Sequence, residues 1–123
     1  MNRLFFLYHE LRPEPSRYSY VISCAEFEEH CRLFKKLQRD SFQAALRPEI
    51  SFDDGHASDA EYALPILLAN GLGAHFFITA GWTGSQSGYM TAAELRTLHA
   101  AGMTIGAHGW SHKLLTTLSL IHI

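Results

Sequence analysis

An α/β fold with a parallel sheet is predicted by the order of apolar patterns along the chain. Short β-branched or apolar runs at Arg3–Tyr8, Glu49–Phe52, Ala74–Thr79 and Met103–Ala107 alternate with longer stretches of helical period. Strands separated by helices cannot pair through tight hairpins, so right-handed crossovers and parallel neighbours follow. The second observation is where the chemistry sits. Ser51-Phe52-Asp53-Asp54-Gly55 closes the second strand, and His108-Gly109-Trp110-Ser111-His112 follows the fourth. The C-terminal ends of parallel strands are where α/β folds gather reactive groups.

The first strand runs into a Pro-containing loop from His9 to about Tyr20. A helix follows, opened by a capping box of Ser23 and Glu26, with Ile22 and Phe27 at the staple positions. Cys24, Phe27, Cys31, Phe34 and Leu37 recur at helical spacing opposite Glu28, Glu29, Arg32, Lys35 and Lys36, a charged face left to solvent. The two cysteines stand ~10 Å apart along this helix, beyond the reach of a disulfide. They read as small apolar core residues. Pro48 precedes the second strand, and Gly55 permits a tight turn after it. Ser58 and Glu61 form a second capping box, for a helix that runs to about Asn70 and ends on Gly71. Pro65 predicts a kink in it, or a start closer to Pro65 than the cap suggests. A Gly/Ser-rich loop, Gly81 to Gly88, carries Trp82 and Gln86. Thr91 and Glu94 then cap a helix that stops near Gly102, with Met90 and Leu95 as its staple.

At 123 residues, 47% of them apolar and 18% charged, the chain has room and material for one domain, 1–123. A net charge of −2 offers no electrostatic case for nucleic acid or an anionic membrane. The apolar run Leu4–Tyr8 is too short for the core of a signal peptide. No stretch approaches the ~20 apolar residues of a membrane span. A soluble, cytoplasmic protein is the expectation, with its oligomeric state left open.

Two adjacent carboxylates repel unless a cation compensates, which points to a metal. The plainer alternative is a solvated Asp-Gly turn. An Asp-x-Asp phosphatase would need alternating carboxylates, and here they are neighbours. His108 and His112 have i, i+4 spacing, so one helical turn would aim both at one ion. The zinc-protease pattern of that spacing needs Glu where Gly109 stands. One Asp with two His makes a three-ligand set that leaves positions open for water and substrate. The other carboxylate is then free to act as a base, and Asp53 is the candidate. His56 reads as a rim residue, and His30, His75, His99 and His122 as structural or solvated. Trp82 and Trp110 are candidates to stack on a ligand ring, although aromatics beside a core are commonplace.

The two motifs together resemble those of the polysaccharide deacetylases of carbohydrate esterase family 4. The best match is over residues 48–119, and the N-terminal part matches loosely. The resemblance implies the N-terminal portion of a distorted (β/α) barrel with parallel strands, incomplete at the C-terminus. It implies Asp53 as the catalytic base and Asp54, His108 and His112 as ligands of a divalent metal, most simply zinc. Tyr8-His9 resembles a pair near the family's site, so a substrate contact is expected of His9, as of Trp82 and Trp110. The implied reaction is hydrolysis of an N-acetyl, less often O-acetyl, group on an acetylated glycan. In it the metal polarises the acetyl carbonyl, Asp53 takes a proton from the attacking water, and backbone N–H groups help hold the oxyanion. The family's Arg-containing motif, further wall strands and late catalytic His do not occur here. The stretch 114–119 still looks like the family, and Leu120-Ile121-His122-Ile123 does not. A complete barrel of this kind takes ~250 residues, so the chain reads as an N-terminal fragment. Two alternatives stand beside this reading: an inactive metal- or glycan-binding remnant, and a different metal-dependent hydrolase on a related scaffold.

Overall fold

Helices between successive strands oblige those strands to run the same way, and the sheet is parallel throughout. A computed structural model describes residues 2–40 and 46–112. The chain order is β1 (Asn2–Tyr8), β2 (Glu10–Arg12), β3 (Val21–Ser23), α1 (Cys24–Asp40), β4 (Leu46–Asp54), a π-helical turn (Asp59–Ala63), α2 (Leu64–Ala69), β5 (His75–Ile78), a 3-10 turn (Ala80–Trp82), α3 (Ala92–Ala100) and β6 (Thr104–Ala107). The main sheet has the order β1-β4-β5-β6, and β2 pairs with β3 in a separate parallel ribbon. The four strands read from the sequence are therefore the four of the main sheet.

Three elements depart from expectation. The loop from His9 to Tyr20 holds a strand, since Glu10, Leu11 and Arg12 pair with Val21, Ile22 and Ser23. Leu11 and Val21 are buried, and three-residue strands carry too little periodicity to be read in advance. β4 is longer than Glu49–Phe52 at both ends, because β1 pairs with it from Leu46 and β5 as far as Asp54. Pro48 lies in the part of β4 that β5 does not reach, where a missing N–H is tolerated. The capping box at Ser58 does not form. Ser58 is already helical (φ −62°, ψ −19°), and its hydroxyl makes no cap bond. Pro65 instead sits in the first turn of α2, so the helix starts at the proline rather than kinking there.

The other caps hold. Glu26 N–H donates to Ser23 Oγ at 3.2 Å, and Thr91 and Glu94 make the full reciprocal box. Cys24 and Cys31 are free thiols; Cys31 is fully buried, and burial pushes its thiol up to about 12. The stretch 114–119 and His122 lie outside the described residues.

The core lies where α1 and α2 cover the sheet. Phe27, Cys31 and Phe34 of α1 and Leu64, Ile66 and Leu67 of α2 are buried with Ile50, Phe52, Phe76 and Ile78 of the strands. Phe52 is its hub. Its ring stacks on Phe76 (centroids 5.0 Å apart) and Tyr8 (5.3 Å), and Phe27 meets it edge-on at 5.5 Å. Phe52 is also the residue before the Asp-Asp pair, so the packing that fixes the core fixes the strand end. Phe52→Ala is expected to cost about 3–5 kcal/mol, a large share of a domain's usual ~5–15 kcal/mol. Urea unfolding should show the midpoint collapse; a midpoint within error of wild type would contradict this hub.

Candidate metal centre

Sheet register brings the two motifs together. Asp54 pairs with Ile78 across β4 and β5, and Ile78 pairs with Ala107 across β5 and β6. Asp54 and Ala107 therefore stand level, one strand apart, and the next residue is His108. The His108 N–H donates to the Ile78 carbonyl at 2.7 Å, carrying the alignment one step past the strand. Two strand spacings amount to ~10 Å, a gap that a carboxylate and imidazoles reaching inward can close.

They do close it. Nε2 of His108 and of His112 lie 3.2 and 2.9 Å from Oδ1 of Asp54, and the three donor atoms fit within 4.8 Å of one another. The imidazole centroids are 4.9 Å apart, tilted by 55°. Oδ1 is shielded from solvent yet accepts no hydrogen bond among the described residues, so neither Nε2 is aligned to donate to it. Three potential ligand atoms packed this closely fit a cation between them. Nitrogen and oxygen ligands at ~2.0–2.2 Å from one zinc ion sit about 3.3 Å apart. The spacing and the donor set fit such an ion.

The backbone carries strain at the same place. Among the described residues, the left-handed non-glycine positions are Asp54 (φ 81°) and His112 (φ 57°), two members of the cluster. Holding such residues there costs roughly 1–3 kcal/mol each. Gly55 (φ 87°) continues the reversal, and a Cβ there would press on the Ile78 side chain at 3.3 Å. The expected helical turn over His108–His112 is absent: those residues are bends or irregular, with Gly109 also left-handed. These reversals, rather than i, i+4 spacing, converge the two imidazoles.

The remaining predicted residues fall in different places. Asp53 is half-buried beside Asp54 and pairs with Phe77, and it is not one of the three converging groups. The Trp82 ring packs 5.5 Å from the His112 imidazole. Trp110 is 68% exposed, and its carbonyl accepts the Gly81 N–H at 2.8 Å. A side chain at Gly81 would collide with that carbonyl. His9 does not join the cluster; it lines a cavity of about 170 Å³ with Tyr8, Tyr20 and Val21.

His56 is more than a rim residue. Ser58 N–H donates to its Nδ1 at 3.1 Å. Nε2–H then donates to Glu10 Oε1 at 2.6 Å. Ser58 Oγ lies 2.8 Å from the same Nδ1 and accepts the Leu11 N–H at 3.0 Å. Arg12 Nε completes the network on Glu10 Oε2 at 3.0 Å. These bonds tie the β2–β3 ribbon to the turn after Asp54. Neither end of the link stands out in sequence.

The sequence reading also missed Asp59. It is fully buried, and neither carboxylate oxygen has a hydrogen-bond partner among the described residues; nor has buried Thr79 Oγ1. Its spacing with buried Ala63 and Leu67 was the available signal, since i, i+4, i+8 places all three on one face. Burial first, then the Asp54 and Asp53 carboxylates, hold the Asp59 carboxyl well above the usual carboxylate range. The folded chain thus keeps this proton more tightly than the unfolded one. Its contribution to stability is complete below about pH 4 and is lost as pH rises towards the folded value. Asp59→Asn, studied in chelator, should flatten the fall in urea midpoint above about pH 4 and raise the midpoint in alkaline buffer. Identical pH profiles for the two proteins would count against a strained Asp59.

Comparison with known proteins places the chain in a family. The polysaccharide deacetylase family profile matches residues 48–123. A chitin deacetylase of Pestalotiopsis sp is 36% identical over 69 residues, covering 56% of this chain and 22% of that protein. A Streptococcus pyogenes deacetylase solved with acetate superposes with a TM-score of 0.76 at 17% identity, over 94% of this chain and 59% of its own. A Bacillus cereus polysaccharide deacetylase gives 0.79 at 16% identity, over 98% and 43%. This chain therefore spans about a fifth of the curated relative and roughly half of each solved structure. The parallel α/β arrangement is the fold of part of those deacetylases. With the profile matching more than half of its length, the chain belongs to the polysaccharide deacetylase family.

Proposed function

We propose that this chain holds the metal and the catalytic base of a zinc-dependent hydrolase that removes N-acetyl groups from a carbohydrate polymer or oligomer. One observation carries the reading: Asp54, His108 and His112 bring three ligand atoms within 4.8 Å of one another at a strand-end edge. Membership of the family supports the carbohydrate substrate, and the chitin deacetylase relative supports an amide-linked acetyl group. Asp54, His108 and His112 would hold the ion. When bound, it supplies Lewis acidity that makes the acetyl carbonyl a better electrophile and water a better nucleophile near neutral pH.

Asp53 is the base in this reading. It precedes the ligand Asp54 and is left out of the three-donor cluster, so its carboxylate is available to accept the proton of the attacking water. The water oxygen bonds to the acetyl carbon, the C–N bond breaks, and acetate and a sugar amine result. Trp82, against His112, offers an apolar face to the sugar ring. Exposed Trp110 offers a second.

Two sets of variants test this. Zinc titrated by calorimetry should bind wild type and lose most of its affinity in His108→Ala and Asp54→Asn; equal affinity in all three would remove the metal reading. Asp53→Asn should keep zinc and, in a chain restored to the full length of its relatives, lower acetate release from an N-acetylated chito-oligosaccharide by ~10²–10⁴-fold. Loss of zinc in Asp53→Asn but not in Asp54→Asn would reverse the two roles. Zinc binding without acetate release from that full-length wild type would reduce the proposal to metal binding.

A further inference from the structure

The loop between β5 and α3 carries an aromatic residue that neither motif uses. The Tyr89 ring lies 4.6 Å from that of Trp82, and Trp82 lies 5.5 Å from the His112 imidazole. On its other side Tyr89 meets His56 edge-on at 6.0 Å. His112, Trp82, Tyr89 and His56 thus make successive ring contacts beside the three-donor cluster. We propose that Tyr89 and Trp82 form the face on which a pyranose ring of the N-acetylated glycan packs, with the Tyr89 hydroxyl bonding to the sugar. This rests on the deacetylase reading and adds to it a residue that sets substrate binding.

The geometry suits a sugar. Trp82 and Tyr89 are tilted by 52°, so they meet as a wedge, and both remain half-buried with part of each ring uncovered. A pyranose presents C–H groups on its faces and hydroxyls around its edge. An aromatic face with a polar tip matches both. Among the described residues the Tyr89 hydroxyl takes no protein hydrogen bond, so it is free to bond to a ligand. Burial, then Asp54, then Glu10 raise its pKa, so it stays a neutral O–H donor.

The wall is also built before substrate arrives. Ala57 N–H donates to the Gly88 carbonyl at 2.8 Å and Met90 N–H to the Gly55 carbonyl at 3.0 Å, so Tyr89 is held against the turn that follows Asp54. At the other end, Ala80 and Gly81 N–H donate to the carbonyls of Gly109 and Trp110 at 2.9 and 2.8 Å. The loop is tied to both motifs, and a ring already fixed loses little entropy on binding.

The test is titration of tetra-N-acetylchitotetraose into the zinc-loaded chain, followed by calorimetry and tryptophan fluorescence. Tyr89→Leu keeps the apolar bulk and removes the ring; it should weaken sugar binding about ten-fold and leave zinc affinity unchanged. Tyr89→Phe should lose a few-fold, the share of the hydroxyl. Sugar affinity equal to wild type in Tyr89→Leu would overturn the wall, as would a wild type that binds no sugar. Equal affinity in Tyr89→Phe would overturn the hydroxyl contact. The same titration in chelator keeps the two readings apart. Sugar binding that persists while zinc fails to bind wild type would sink the metal reading and leave the wall standing.

Discussion

Everything at the strand-end edge depends on the register of three parallel strands. Asp54, Ile78 and Ala107 share one line across β4, β5 and β6, and the His108 N–H extends that line onto the Ile78 carbonyl. A slip of one residue in either pairing would turn every side chain of the slipped strand to the opposite face. Asp54 would then face away from the imidazoles, and Phe52 would leave the core. The register is pinned from the core side, where buried Phe76 and Ile78 alternate with half-buried His75 and Phe77 along β5. Phe52 locks β4 by stacking on Phe76. The candidate centre is in this sense a consequence of core packing.

The edge is where the chain departs from its own local preferences. Asp54 and His112 are left-handed, and Asp54 Oδ1, both Asp59 oxygens and Thr79 Oγ1 are buried without hydrogen-bond partners among the described residues. Each such feature opposes folding by an amount comparable to a good core contact. Their gathering within one turn and the adjoining strand end is how a site differs from a scaffold. Elsewhere the elements follow simple rules, from the amphipathic α1 to the complete capping box at α3.

What could be read in the sequence follows that division. The strands of the main sheet, α1, α3 and two of three caps were legible because periodicity and capping act over a few residues. Asp54, His108 and His112 were legible as a set because adjacent carboxylates and a His pair at strand ends are unusual combinations. Their backbone was not: the His segment reads as a helical turn, and only tertiary packing imposes the reversals at Gly109 and His112. Ser58 shows the same limit. It has the residue type and spacing of a cap, but the Leu11 N–H from a distant strand claims its hydroxyl. Glu10 and Tyr89 join the neighbourhood through contacts distant in sequence, which no local pattern carries.

Charge explains why three acidic residues tolerate one another within seven positions. Two unit charges ~5 Å apart repel by about 3 kcal/mol at an effective dielectric of ~20, so Asp53, Asp54 and Asp59 cannot all be bare anions without compensation. The structure offers a different resolution for two of them. Asp59, fully buried and unpartnered, is held towards its neutral form. Asp54 faces two imidazoles whose Nε2 atoms stand 3.2 and 2.9 Å from its Oδ1, and a divalent cation among the three would balance its charge. With Asp59 held towards its neutral form, the repulsion left in this stretch is that between the adjacent Asp53 and Asp54. Asp59, invisible to the motif, thereby lightens the negative charge beside the candidate centre.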